Sequence, residues 1–167
     1  MRRNITLLLT TVLTFSVLAR PIFAQKSASS GVGISELEGI WILDPGKSHF
    51  GKVGQNDYKG YTKEISVIGD EVRISTISGF TNEYLGREMV LFADGRGELN
   101  DNIKSVTRWK KGRLVRRFSE KVSWGWQDHV YQYHLSKDGN TLIFEFETKS
   151  AMPFTNDAFS LVFNRKI

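Results

Sequence analysis

Three histidines, His49, His129 and His134, are the imidazoles available for metal binding or acid–base chemistry. His129 and His134 stand five apart on a predicted strand. Side chains alternate along a strand, so an odd spacing sends the two rings to opposite faces and leaves no joint metal site. Asp128 beside His129 has the composition of an acid–base pair, but adjacent strand residues face away from each other and no nucleophile motif accompanies them. Both read as surface or rim residues. The chain has no cysteine, which excludes thiol catalysis, cysteine-based zinc sites and disulfides. Gly95 and Gly97 in "ADGRGE" are turn glycines, not a phosphate loop. The residues therefore call for no catalytic group, no metal and no cofactor.

The cations are more informative. Between Lys104 and Lys121 there are eight Lys and Arg against one acid, Glu120. Gly112 folds this stretch into a hairpin, so the charges gather in space. A solvated hairpin accounts for most of this pattern; a surface for an anionic partner is the functional alternative. Arg116 differs from the rest because it alternates with Leu114, Phe118 and Val122, the face expected to point inward. An arginine inside a small domain must be paired or solvated. Tyr131 and Tyr133 on the next strand, or an acidic group of a ligand, would serve.

These residues need strands to position them. β-branched and aromatic residues come in short runs with turn signals between them. The runs are Gly39–Leu43, Tyr61–Ile68, Glu71–Ser78, Glu83–Phe92, a short piece within "ADGRGELNDN", Ser105–Trp109, Arg113–Val122, His129–Leu135, Thr141–Thr148 and Ala158–Arg165. Ser35-x-x-Glu38 has the capping-box form, which predicts one helical turn before Gly39. No long stretch has apolar residues at helical spacing. The fold class is thus all-β, a single antiparallel meander closing into a barrel of about 8–10 strands. Leu142, Phe144 and Phe146 share one face, Phe159, Leu161 and Phe163 another, and Tyr131, Tyr133 and Leu135 a third, as the inner wall of a small barrel requires.

Residues 1–24 read as a secretory signal peptide. Arg2 and Arg3 precede an uncharged apolar run over Ile5–Ala19, and Ala24 supplies the small residue before a cut at Gln25. The run is too short to span a bilayer, so no transmembrane anchor is expected. Residues 25–36 read as a flexible leading segment and 37–167 as the barrel domain. Export to the periplasm or the extracellular space follows. The whole chain carries 23 Lys and Arg against 18 Asp and Glu, but the leader holds Arg2, Arg3 and Arg20 and no acid, which leaves 20 against 18, a net +2. That balance argues against nucleic acid as a partner.

The stretch "GIWILDPGKSHFG" at Gly39–Gly51 carries a resemblance. Gly-x-Trp at the first strand and a basic residue closing the last, here Arg165, resemble the lipocalins and related calycin barrels, which include the fatty-acid-binding proteins. The resemblance implies that Trp41 plugs the base of the barrel beside Gly39 and that Arg165 packs across the ring. Together with Trp109–Val115, "LSKDGNTL" at Leu135–Leu142, and Leu161–Arg165, the opening resembles a group of small secreted, mostly uncharacterised bacterial lipocalin-like proteins. The Arg-x-Tyr carboxylate clamp of fatty-acid-binding proteins is absent; Leu161 and Phe163 stand there. The expected function is binding of a small, partly apolar ligand inside the barrel, by a monomer. Arg116 would be its polar anchor, and Tyr131, Tyr133, Trp109, Phe144 and Phe146 its walls. The alternatives are an interaction module using residues 104–121 on an anionic surface or polymer and, least favoured, a barrel-based isomerase or hydrolase.

Overall fold

Alternating apolar and polar residues, cut by glycine turns, fold into ten strands. The computed structural model describes residues 33–52, 58, 60–81, 83–100, 102–150, 152 and 156–167. The expected signal peptide and the leading segment as far as residue 32 lie outside the described residues. The strands are β1 (Gly39–Leu43), β2 (Thr62–Ile68), β3 (Glu71–Ile77), β4 (Met89–Phe92), β5 (Glu98–Asn100), β6 (Ile103–Lys110), β7 (Arg113–Val122), β8 (Gly125–Leu135), β9 (Thr141–Ser150) and β10 (Asp157–Arg165). They form one antiparallel sheet in the order β4-β3-β2-β1-β10-β9-β8-β7-β6-β5. The meander therefore pairs its first strand with its last, with Trp41 opposite Arg165 and Leu43 opposite Phe163.

The barrel is nearly closed. Among the described residues no strand ladder joins β4 to β5. The seam is bridged in other ways. The Trp109 N–H donates to the Ala93 carbonyl at 2.8 Å. The Asn100 carboxamide stands in for a strand: its Oδ1 accepts from the Val90 N–H at 3.0 Å, and its Nδ2 donates to the Val90 carbonyl at 2.9 Å.

Two elements differ from the sequence expectation. The strand expected over Glu83–Phe92 begins only at Met89. The described residues of 83–88 are all exposed, so they have no inward face to bury, and Gly86 breaks the run at φ 73°. β8 starts at Gly125, four residues before the expected His129, because "SWGWQD" spends only Ser123 and Trp124 on the turn. The expected helical turn is a 3-10 turn over Ile34–Leu37. Leu37, the first residue of the expected barrel domain, is fully buried.

Candidate ligand-binding site

One end of the barrel is shut. Trp41 is fully buried and its Nε1 donates to the Leu37 carbonyl at 2.9 Å. The Arg165 guanidinium carbon lies 4.2 Å from the centre of that ring. The same guanidinium donates to the carbonyls of Glu38 at 2.8 Å and Glu36 at 2.7 Å, which ties the 3-10 turn to the last strand. Gly39 has φ 142°, and a Cβ there would stand 3.0 Å from Arg165 Nη1. The glycine is required because the arginine passes beside it. Leu43, Leu135, Leu142, Leu161 and Phe163 complete this packed end. Phe163 and Leu161 are thus core residues.

The other half of the interior is built differently. Arg116 points inward and is 5% exposed, whereas Arg117 is exposed. The Arg116 Nε donates to Ser105 Oγ at 2.9 Å, and its guanidinium carbon lies 4.6 Å from the centre of Phe118 and 5.6 Å from that of Tyr131. Ser105 Oγ in turn donates to Glu98 Oε1 at 3.1 Å, and Thr107 donates to the same oxygen. Glu98 Oε2 is buried with no hydrogen-bond partner among the described residues. Tyr131 sits edge-on to Phe144 at 5.5 Å, and Phe146 stacks on Phe159 at 4.6 Å. Burial pushes the Tyr131 phenol pKa up, and the Arg116 charge opposes that shift. The loop between β1 and β2 brings Phe50 and Tyr58 to this half, with Tyr58 lying 5.8 Å from Phe159.

Tyr131, Phe146 and Phe159 share strand faces with buried residues yet remain half-buried. These half-buried rings mark the less densely packed part of the interior. Arg116, Tyr131, Tyr133, Phe144 and Phe146 therefore converge on one wall, from β7, β8 and β9. Trp109 also faces inward, but at the closed end, where it packs against the core cluster. Tyr133 is 1% exposed and Phe144 is buried, so these two form the floor where the open half meets the packed one.

Three interior groups escaped the sequence reading. Lys63 is buried, its Nζ donates to Thr76 Oγ1 at 3.1 Å, and it faces the rings of Tyr133, Phe144 and Phe163. Burial pushes its pKa down to about 8. The alternation in "TKEISVI" carried the signal, since Lys63 shares parity with Ile65 and Val67. Glu98 had no such signal, because Leu99 looks like the inward residue of that strand and is exposed instead. His129, read as a surface or rim residue, is buried. Its ring stacks on Phe118 at 4.6 Å, with Nε2 2.9 Å from Glu120 Oε1 and Nδ1 3.0 Å from Thr148 Oγ1. His134 lies on the opposite face of β8 from His129. Among the described residues there is no group of three or more potential metal ligands. His49 serves the wall by pairing its backbone with Ser160.

The basic hairpin is mostly outward. Lys104, Arg108, Lys110, Lys111, Arg117 and Lys121 are exposed. Arg113 is instead ion-paired with Glu145 at 2.6 Å. A hollow of about 870 Å³ lies on the outer wall over β1–β3, lined by outward residues such as Ile40, Glu64, Ser66 and Arg73. It is a concavity of the twisted sheet and touches none of the converging residues.

No protein-family model matches the sequence, and no curated protein matches it. Solved structures do match in fold. The chain is similar to apo lipid binding protein 8 of Caenorhabditis elegans, with 15% identity, TM-score 0.57, and 81% of this chain and 99% of that one covered. It is similar to zebrafish ileal bile acid-binding protein complexed with cholic acid, at 11% identity, TM-score 0.53, and 80% and 100% coverage. It also resembles a secretory abundant heat soluble protein from Ramazzottius varieornatus, at 11% identity, TM-score 0.56, and 82% and 100% coverage. The fold is that of the fatty-acid-binding-protein and calycin-like β-barrels.

Proposed function

We propose that this protein is a non-enzymatic carrier or receptor that binds a small, partly apolar molecule in the open half of its barrel, with an acidic or carbonyl group of that molecule held by Arg116. The observation that supports this best is the buried guanidinium set beside inward rings that still expose surface: Tyr131, Phe146 and Phe159. An apolar pocket with a few convergent polar groups is the usual form of a small-molecule site. Two proteins of the same fold, named for binding lipid and bile acid, make the reading consistent with the architecture.

Displacement of the fluorescent anion anilinonaphthalene sulfonate by dodecanoate tests the assignment. A charge-assisted hydrogen bond contributes about 1.5–3 kcal/mol, so Arg116→Met should weaken binding by roughly tenfold or more. Arg117→Met, on the outer face of the same strand, should change it little. If Arg117→Met abolishes retention and Arg116→Met leaves it intact, binding belongs to the exposed basic hairpin and not to the barrel.

A further inference from the structure

The two interior cations are not equivalent. Arg116 has a carboxylate one hydroxyl away, because Ser105 Oγ accepts from its Nε and donates to Glu98. Lys63 has no such partner. Its ammonium carries three N–H donors. Among the described residues its one hydrogen bond goes to Thr76 Oγ1 at 3.1 Å, and it faces the rings of Phe144, Phe163 and Tyr133, with centres 5.2, 5.8 and 5.9 Å away. Among the described residues no carboxylate pairs with it, and burial is what depresses its pKa. Ring faces offset part of the cost of burying a charge, but they supply no lone pair for the remaining N–H groups. Among the described residues the arrangement supplies one oxygen acceptor, Thr76 Oγ1, for three N–H donors.

Phe144 links the two cations. Its ring centre lies 5.2 Å from Lys63 Nζ and 5.5 Å from that of Tyr131, which it meets edge-on, and the Tyr131 ring centre lies 5.6 Å from the Arg116 guanidinium carbon. A chain lying on these two rings would have one cation near each end.

We infer that Lys63 is a second ligand anchor, so that the molecule bound is an apolar chain carrying oxygen acceptors at both ends, of the class of medium-chain dicarboxylates and oxo-acids. One group meets Arg116 and the other meets Lys63. The inference rests on the barrel-binding reading above and adds the second headgroup to it.

Isothermal titration of the barrel-containing protein with dodecanoate and dodecanedioate separates the two ideas. The wild type should bind the diacid at least about tenfold more tightly than the monoacid, the gain expected of one charge-assisted contact. Lys63→Met should keep dodecanoate binding and reverse the preference, because the second carboxylate would then be buried unpaired. Arg116→Met should weaken both acids. Equal wild-type affinity for the two acids, or a diacid preference that survives Lys63→Met, would overturn the second anchor while leaving the carrier reading standing. Binding of neither acid would sink the carrier reading itself. Should Lys63→Met not fold, Thr76→Val carries the test, because it frees the ammonium from its one fixed partner. The diacid preference should then shift severalfold, and an unchanged preference overturns the placement.

Discussion

The two halves of the barrel interior come from the same alternation and end as opposites. At the closed end the inward positions are Trp41, Leu43, Leu135, Leu142 and Phe163, all apolar and all buried. In the open half the inward positions mix buried polar residues, Glu98, Ser105, Thr107, Arg116, His129 and Thr148, with buried Phe118 and the half-buried rings of Tyr131, Phe146 and Phe159. The barrel holds both because its long strands, β7 to β10, cross both halves. The closed end supplies hydrophobic burial, worth roughly 25 cal/mol per Å² of apolar surface. The open half gives that up for hydrogen-bonded polar groups, which add little net stability even when satisfied. Polar side chains set among half-buried rings on an inward face are thus the mark of a site, and a wholly apolar, fully buried inward face the mark of a scaffold.

The comparison breaks most severely at Trp41. The ring is fully buried, holds Leu37 by its Nε1 and carries the Arg165 guanidinium on its face. Trp41→Ala removes all three supports at once. Loss of about 3–5 kcal/mol is expected, as for other buried aromatics, measured as a lower urea midpoint with an unchanged slope. A loss below about 1 kcal/mol would mean that the closed end does not carry the stability assigned to it.

How much of this was legible in the sequence depends on which half is read. Apolar alternation identified the strand faces at the closed end, while it was the resemblance to calycin barrels, not spacing, that pointed to Gly39, Trp41 and Arg165, which lie together there. β7 was equally readable: Leu114, Arg116 and Phe118 share a face in the sequence and in the fold. Lys63 was missed because a lysine is assumed to point outward, although its parity with Ile65 placed it inside. Glu98 and the shortened β4 were not legible. A three-residue strand has too few positions to set a phase, and its facing was fixed by tertiary hydrogen bonds from Ser105 and Thr107. His129 was misplaced because its burial depends on Phe118, Glu120 and Thr148, which come from other parts of the chain.

Lys63 sharpens the comparison, because it is a charge on the border of the packed half. The groups facing it are Thr76 from β3, Tyr133 from β8, Phe144 from β9 and Phe163 from β10. Tyr133 stays neutral, since burial pushes its phenol pKa up. In the unfolded chain the Lys63 pKa returns to near 10.4, while in the fold it is about 8. The unfolded state then binds more protons between these values, so the lysine's contribution to stability rises with pH across that window and its full penalty applies below pH 8. Lys63→Met should therefore be more stable than wild type near neutral pH by about 2–3 kcal/mol, with the difference shrinking toward pH 10. Chemical unfolding at several pH values measures this. A difference that does not change with pH would show the ammonium to be solvated.

The smallest effect belongs to the seam, where the barrel closes without a ladder. Asn100 bonds both backbone groups of Val90, and Glu98, at the edge of the open half, lies two residues away on the same strand. Asn100→Ala leaves a donor and an acceptor of β4 without their partner in a part-buried setting, which costs about 1–2 kcal/mol. Asn100→Asp is the informative control. It keeps an acceptor for the Val90 N–H but sets a carboxylate oxygen against the Val90 carbonyl, so it should rescue little. The effect is local: amide exchange at Val90 should speed up in Asn100→Ala, while amides in the middle of β9, paired on both sides, stay protected. Unchanged protection at Val90 would mean that the seam is held elsewhere, by Trp109 and Ala93, and that the open half depends less on Asn100 than its geometry implies.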